Sequence, residues 1–239
     1  MKNFWSIKYF LFFIICLLPL DTKSQVIEPE KPWIYFPGKL DEYKLNYSIG
    51  LTIARLPRPI VEEEMDQAPM LDFHFRYGLP YNFSLSSRIS SIGITNHISA
   101  GLRYSLSIDK LSLSIGNSSA YWFGWADFYD FDARANGLMN YPEFAIGYDL
   151  GETLITLWVE AEYLFSMKKY SGNIQTNYSK SRIIGFSTGL FSEQLFLKNN
   201  WLTIGLKMRY SRFFYQSWMA FSSITNWFWT PEITLAYNL

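Results

Sequence analysis

The chain has 239 residues, with 21 Lys+Arg against 21 Asp+Glu, two His and one Cys, and Phe, Trp and Tyr make up 19% of it. Zero formal charge argues against a nucleic-acid surface, which needs surplus cations to neutralise several phosphates. The aromatic fraction excludes a disordered chain and exceeds what an ordinary soluble domain hides in its core, and a mean hydropathy close to zero excludes a bundle of membrane helices.

Residues 1–24 read as a secretory signal: Lys2 and Lys8, an apolar run from Tyr9 to Leu20, then the small residues Thr22 and Ser24 before a cleavage point at Gln25. The run is shorter than the roughly 20 apolar residues of a membrane helix. Ile15 stands where a lipid-attachment motif around Cys16 requires a small residue. Cleavage would remove the sole cysteine, leaving no disulfide, thiol nucleophile or thiolate ligand. Residues 25–42, with Pro29, Pro32 and Pro37, read as an extended N-terminal arm.

From Tyr43 onward the dominant signal is period two, which predicts strands with one apolar and one polar face. Ten segments carry it: 43–55, 69–79, 81–91, 96–108, 111–121, 141–150, 153–166, 181–192, 201–213 and 229–239. In the first, Leu45, Tyr47, Ile49, Leu51 and Ile53 share a face opposite Asn46, Ser48, Gly50 and Thr52. Gaps after even-numbered segments are mostly tight. Gaps after odd-numbered ones are mostly long, at 56–68, 122–140, 167–180 and 214–228, with 92–95 the short exception. One rim of the sheet is therefore expected to carry turns and the other loops.

Side-chain size decides which face is outside. The apolar face is mostly Leu, Ile, Phe and Tyr, and the other is rich in Ser, Gly, Thr and Ala. About eight strands already enclose only enough room for side chains, so the large face of a closed ten-stranded barrel must point outward, toward lipid. The expected fold is all-β: a closed antiparallel up-and-down transmembrane barrel over 43–239, of ten strands within a range of eight to twelve.

With this pattern, and with a last segment PEITLAYNL that sets Ile233, Leu235, Tyr237 and Leu239 on one face, the chain resembles the outer-membrane β-barrel proteins of Gram-negative bacteria. Many members end in Phe where this chain has Leu239. The resemblance implies a location in the cell outer membrane, contact with outer-membrane lipid and lipopolysaccharide, and delivery by the barrel assembly machinery.

An outward apolar face assigns Lys44, Arg76, Arg88, Arg103, Lys207 and Arg209 to the lumen, together with Asp72, Glu143, Asp149, Glu160, Glu162 and Glu232. Charges removed from water are costly unless paired, so this balance predicts cross-lumen ion pairs and a largely plugged interior, with a narrow channel as the alternative. His74 lies in a same-face row with Asp72 and Arg76 and is expected in that network.

Chemistry is sparsely signalled. His97 and Ser99, in NHISAGLRY, resemble the His-x-Ser pattern of outer-membrane lipid A deacylases, but Leu111 and its neighbours supply no downstream Glu. The strand count is similar to that of the omptin proteases, without a counterpart of their Asp–His couple. No metal motif, phosphate loop or nucleophile elbow is present, and neither metal nor cofactor is expected. An outer-membrane hydrolase is thus the alternative to a structural or recognition protein. Aromatic residues crowd two connections, Trp122, Trp125, Phe128 and Tyr129 in one and Trp218 and Trp227 in the other. They are expected to form an interface girdle, a cap on the barrel mouth, or a platform for a surface ligand or partner protein.

Overall fold

The computed structural model describes residues 31–57, 67–128, 131–196, 200–218 and 226–239. The expected signal segment and the start of the arm, 25–30, lie outside the described residues, as does Tyr129. Ten antiparallel strands are described: β1 (Leu45–Arg55), β2 (Gln67–Gly78), β3 (Phe83–Ser91), β4 (Thr95–Ile108), β5 (Leu111–Phe128), β6 (Phe131–Asp149), β7 (Thr153–Ser171), β8 (Ile174–Phe196), β9 (Asn200–Ser211) and β10 (Phe228–Asn238). Each pairs with its sequence neighbours, and β1 pairs with β10 in a register that includes Leu51↔Leu235 and Ile53↔Ile233, closing the ring.

The alternation in the sequence becomes the two sides of this wall. On β1 the side chains of Asn46, Ser48 and Thr52 are buried inside, while Leu45, Tyr47, Ile49, Leu51 and Ile53 face out. The same holds around the ring, with Leu102 52% exposed and Ile115 64% exposed on the outer surface. A continuous exterior of this kind would be unstable in water, where each large aliphatic side chain forgoes about 1.5–3 kcal/mol of burial. Against hydrocarbon the same side chains are solvated, and ring closure leaves no unpaired sheet edge.

Two expected long loops are strands instead. Residues 122–140 and 167–180 belong mostly to the β5–β6 and β7–β8 hairpins, the second turning at Gly172 and Asn173. The alternation continues through the aromatic stretch: Trp122, Gly124 and Ala126 point inward, and Tyr121, Phe123 and Trp125 outward. Aromatic density there marks a continuing strand, not a connection.

These extensions make the wall uneven. At about 3.3 Å per residue and a tilt near 40°, an 11-residue strand such as β1 rises about 28 Å and an 18-residue strand such as β5 about 45 Å, against an apolar band about 25 Å tall. Strands β5 to β8 therefore stand well clear of the bilayer on the side away from the tight turns.

Candidate functional site

The interior is occupied from both ends. At the tight-turn rim the chain reverses before β1, where the Lys44 N–H donates to the Asp41 carbonyl (3.2 Å) and Tyr43 adopts a φ of 64°. The arm residues Ile34, Tyr35, Phe36 and Leu40 are buried inside the barrel. The Glu193 carboxylate accepts hydrogen bonds from the backbone N–H groups of Ile34 (2.8 Å), Tyr35 (3.4 Å) and Phe36 (2.6 Å). Arg76 donates to the carbonyls of Phe36 (2.5 Å) and Gly38 (2.8 Å) and to the hydroxyls of Ser84 and Ser105. Arg103 donates to the Ile34 carbonyl (3.3 Å), and Lys31 pairs with Asp149 (2.8 Å).

Packing completes this seat. Tyr35 stacks on Phe191 with ring centroids 4.0 Å apart, and its hydroxyl shares a hydrogen bond with His74 Nε2 (3.1 Å). Burial raises its phenol above the ordinary tyrosine pKa, so the group remains a neutral hydroxyl. Phe36 packs with Leu154 and Trp201. Gly147 on β6 is a glycine for space: a Cβ there would meet Pro37 Cδ at 2.5 Å and the Phe36 ring at 2.6 Å.

Beyond the arm lies a charged layer. Arg88 pairs with Asp72 (2.8 Å), which also accepts from the Ser90 hydroxyl (2.5 Å). Arg103 pairs with Glu143 (3.0 Å), Lys207 with Glu160 (2.5 Å), and Arg209 with both Glu232 (2.7 Å) and Glu162. These pairs join adjacent strands or strands one apart. They lie along the wall and do not bridge the lumen, because the arm and the connection described next occupy the centre. A cavity of about 100 Å³ remains, lined in part by Tyr35, His74, Arg88, His97, Glu143, Lys207 and Tyr215. That is space for a few water molecules.

The third layer is apolar. Phe213, Phe214, Tyr215 and Trp218, from the β9–β10 connection, are buried against Trp122, Met139, Leu164, Met167 and Ile184. Tyr215 stacks on His97 (4.5 Å), and burial pushes its phenol up to about 12. Trp218 donates from Nε1 to Thr95 Oγ1 (3.0 Å) and lies over Gly124, where a Cβ would meet that nitrogen at 2.1 Å.

The expected site residues divide accordingly. His97 and Ser99 both face inward from β4, but His97 Nε2 meets the Tyr141 hydroxyl (3.2 Å) and Ser99 donates to the Arg88 carbonyl (3.5 Å). Among the described residues no carboxylate hydrogen-bonds His97, so a nucleophile, base and acid are not brought together. The aromatic candidates do not form one platform. Trp122 and Trp218 are buried inside, and Trp125 points outward with 61% of its surface exposed. Trp227 stacks on Tyr210 (4.9 Å) beside Trp229, and Phe128 ends β5. Reading the sequence missed Glu193 and the inward Phe213, Phe214 and Tyr215. The one signal was a carboxylate within the apolar stretch GLFSEQLF.

No family model and no curated protein matches the sequence. Solved structures are similar at the level of the barrel. Neisserial surface protein A shares 10% identity with a TM-score of 0.40, over 82% of this chain and 96% of that one. The translocator domain of the autotransporter NalP from Neisseria meningitidis shares 10% identity with a TM-score of 0.43, over 83% and 88%. Ail of Yersinia pestis, solved with the heparin analogue sucrose octasulfate, shares 13% identity with a TM-score of 0.35, over 83% and 99%. A closed even-stranded ring, an apolar exterior, a polar interior and one rim of tight turns define an outer-membrane β-barrel protein.

Proposed function

We propose that this is a non-conducting outer-membrane barrel that serves as a scaffold, presenting the raised β5–β6 and β7–β8 hairpins at the cell surface for recognition. The tight-turn rim faces the periplasm and the raised rim the exterior. Lipopolysaccharide contacts the outward aromatic belt, in which Tyr210, Trp227 and Trp229 act as an interface girdle. The signal segment 1–24 directs export, and the last strand engages the assembly machinery.

The observation that carries this reading is the arm inside the barrel, held on its backbone by Arg76 and Glu193. A segment fixed by charge-assisted hydrogen bonds from two walls, below an apolar layer, supports a barrel that does not conduct. The purified barrel in a planar bilayer should show no unitary conductance, and removal of residues 31–42 should raise leak current. Stable unitary steps from the intact protein would refute the closed-barrel reading.

A further inference from the structure

The lipid-facing wall is not uniform. Through the apolar band, β1, β2, β9 and β10 turn only apolar and aromatic side chains outward, among them Leu51, Phe73, Leu206 and Leu235. The sector from β3 to β6 differs. Asn117 and Ser119 stand outward on β5 between Ile115 and Tyr121, and Asn140 stands outward on β6 beside Pro142. The register aligns Ser87, Ala100, Ser119 and Asn140 in one row across four strands.

These side chains hydrogen-bond one another. Ser119 donates to Asn140 Oδ1 (3.1 Å), and Asn140 Nδ2 donates to Asn117 Oδ1 (2.7 Å). The chain stops there, because the Asn117 amide nitrogen finds no acceptor among the described residues. Such a donor facing hydrocarbon costs several kcal/mol. The ladder is also interrupted beside it: the β6–β7 register passes from Asn140↔Tyr163 to Glu143↔Glu160, skipping Tyr141 and Pro142. A surface depression lies here, lined by Tyr104, Gly116, Asn117, Pro142 and Phe144 and reaching Ala161 on β7 and Phe186 on β8.

We propose that this sector is the contact face for a second copy of the same chain, packed about a two-fold axis. A carboxamide is both donor and acceptor, so Asn117 opposite its symmetry mate satisfies the spare N–H on each side with one residue type. The cluster carries no charge, which disfavours a phosphate headgroup. Large side chains, Tyr104 and Phe144, and the small Ala161 line the same depression. Because the wall is convex, two copies meet along a strip about two strands wide, roughly 10 Å by 25 Å on each, so the contact buries about 500 Å² in total and is a weak, reversible one in which the hydrogen bonds set the register.

The test is site-directed disulfide crosslinking in isolated outer membranes. Ile115→Cys, beside the cluster, should yield a covalent dimer on oxidation, and Leu206→Cys, on β9, should not. Adding Asn117→Leu and Asn140→Leu to Ile115→Cys should reduce the crosslinked fraction about tenfold, the effect of losing one or two lipid-shielded hydrogen bonds. The heat-modifiable gel shift reports whether that variant still forms a barrel. For the unmodified chain, sedimentation in detergent should give a concentration-dependent dimer. A monomer at every concentration, equal crosslinking from Leu206→Cys, crosslinking unaffected by the Asn substitutions, or crosslinks only to another protein would each overturn the proposal.

Discussion

Arg76 and Glu193 hold the two backbone polar groups of one buried residue, Phe36: its carbonyl accepts from Arg76 at 2.5 Å and its N–H donates to Glu193 at 2.6 Å. The two side chains reach it from β2 and β8, with β1, β10 and β9 between them. Glu193→Ala takes the acceptor from three buried N–H groups, each of which then costs about 1–3 kcal/mol if nothing replaces it. The arm should loosen while the wall persists. Planar-bilayer recording should show leak current in that variant, and a silent trace would mean that packing alone holds the arm.

Gly147 tests the same seat by shape. A leucine at this position would occupy the space of Pro37 and the Phe36 ring. Gly147→Leu should therefore displace the arm without touching any charged group, and limited proteolysis should cut near residues 31–42 faster than in the parent. Unchanged cleavage would show that the arm shifts sideways to accommodate the new side chain.

Trp122 and Trp125 lie three residues apart on β5 and face opposite ways. Trp122→Ala empties part of the packed layer under the β9–β10 connection and should destabilise the barrel by about 3–5 kcal/mol. Trp125→Ala removes an outward side chain and should leave the urea midpoint nearly unchanged. Similar losses from both would contradict the inward and outward assignment.

Arg209 lies between two carboxylates, Glu162 and Glu232. Replacing Arg209 with Met strands both, and breaking a buried ionic group in this way costs about 3–5 kcal/mol. Adding Glu162→Gln and Glu232→Gln should recover much of that loss, because two neutral amides carry a smaller desolvation penalty than two unpaired carboxylates. Equilibrium unfolding of the single and triple variants measures the recovery.

The wall was readable because its cause is local: each strand repeats large-out, small-or-polar-in at period two, and lipid outside makes that pattern strict. Residues 122–140 were misread where dense aromatics resembled a loop, although Trp122, Gly124 and Ala126 kept the alternation. Arg88, Arg103 and Arg209 follow the same period and lie on the polar face of their strands. The occupants of the lumen were not readable in this way. Ile34, Tyr35 and Phe36 follow a proline-rich segment with no period of its own, and their partners Arg76 and Glu193 are about 40 and 160 residues away. Contacts at that distance leave no spacing rule in the chain.

Closure of the ring joins β1 to β10, the most distant pairing in the sequence, and ends with Tyr47 and Leu239 exchanging backbone hydrogen bonds at 2.9 and 3.4 Å. Pairings of that separation carry the largest loop-closure cost and are the slowest to form. The arm hangs from β1 through a reversal of a few residues, while the groups that receive it stand on β2, β4 and β8. The strand that completes the cylinder thus brings the interior segment with it. Seam and bore filling are tethered to each other through the few residues between Leu40 and Leu45.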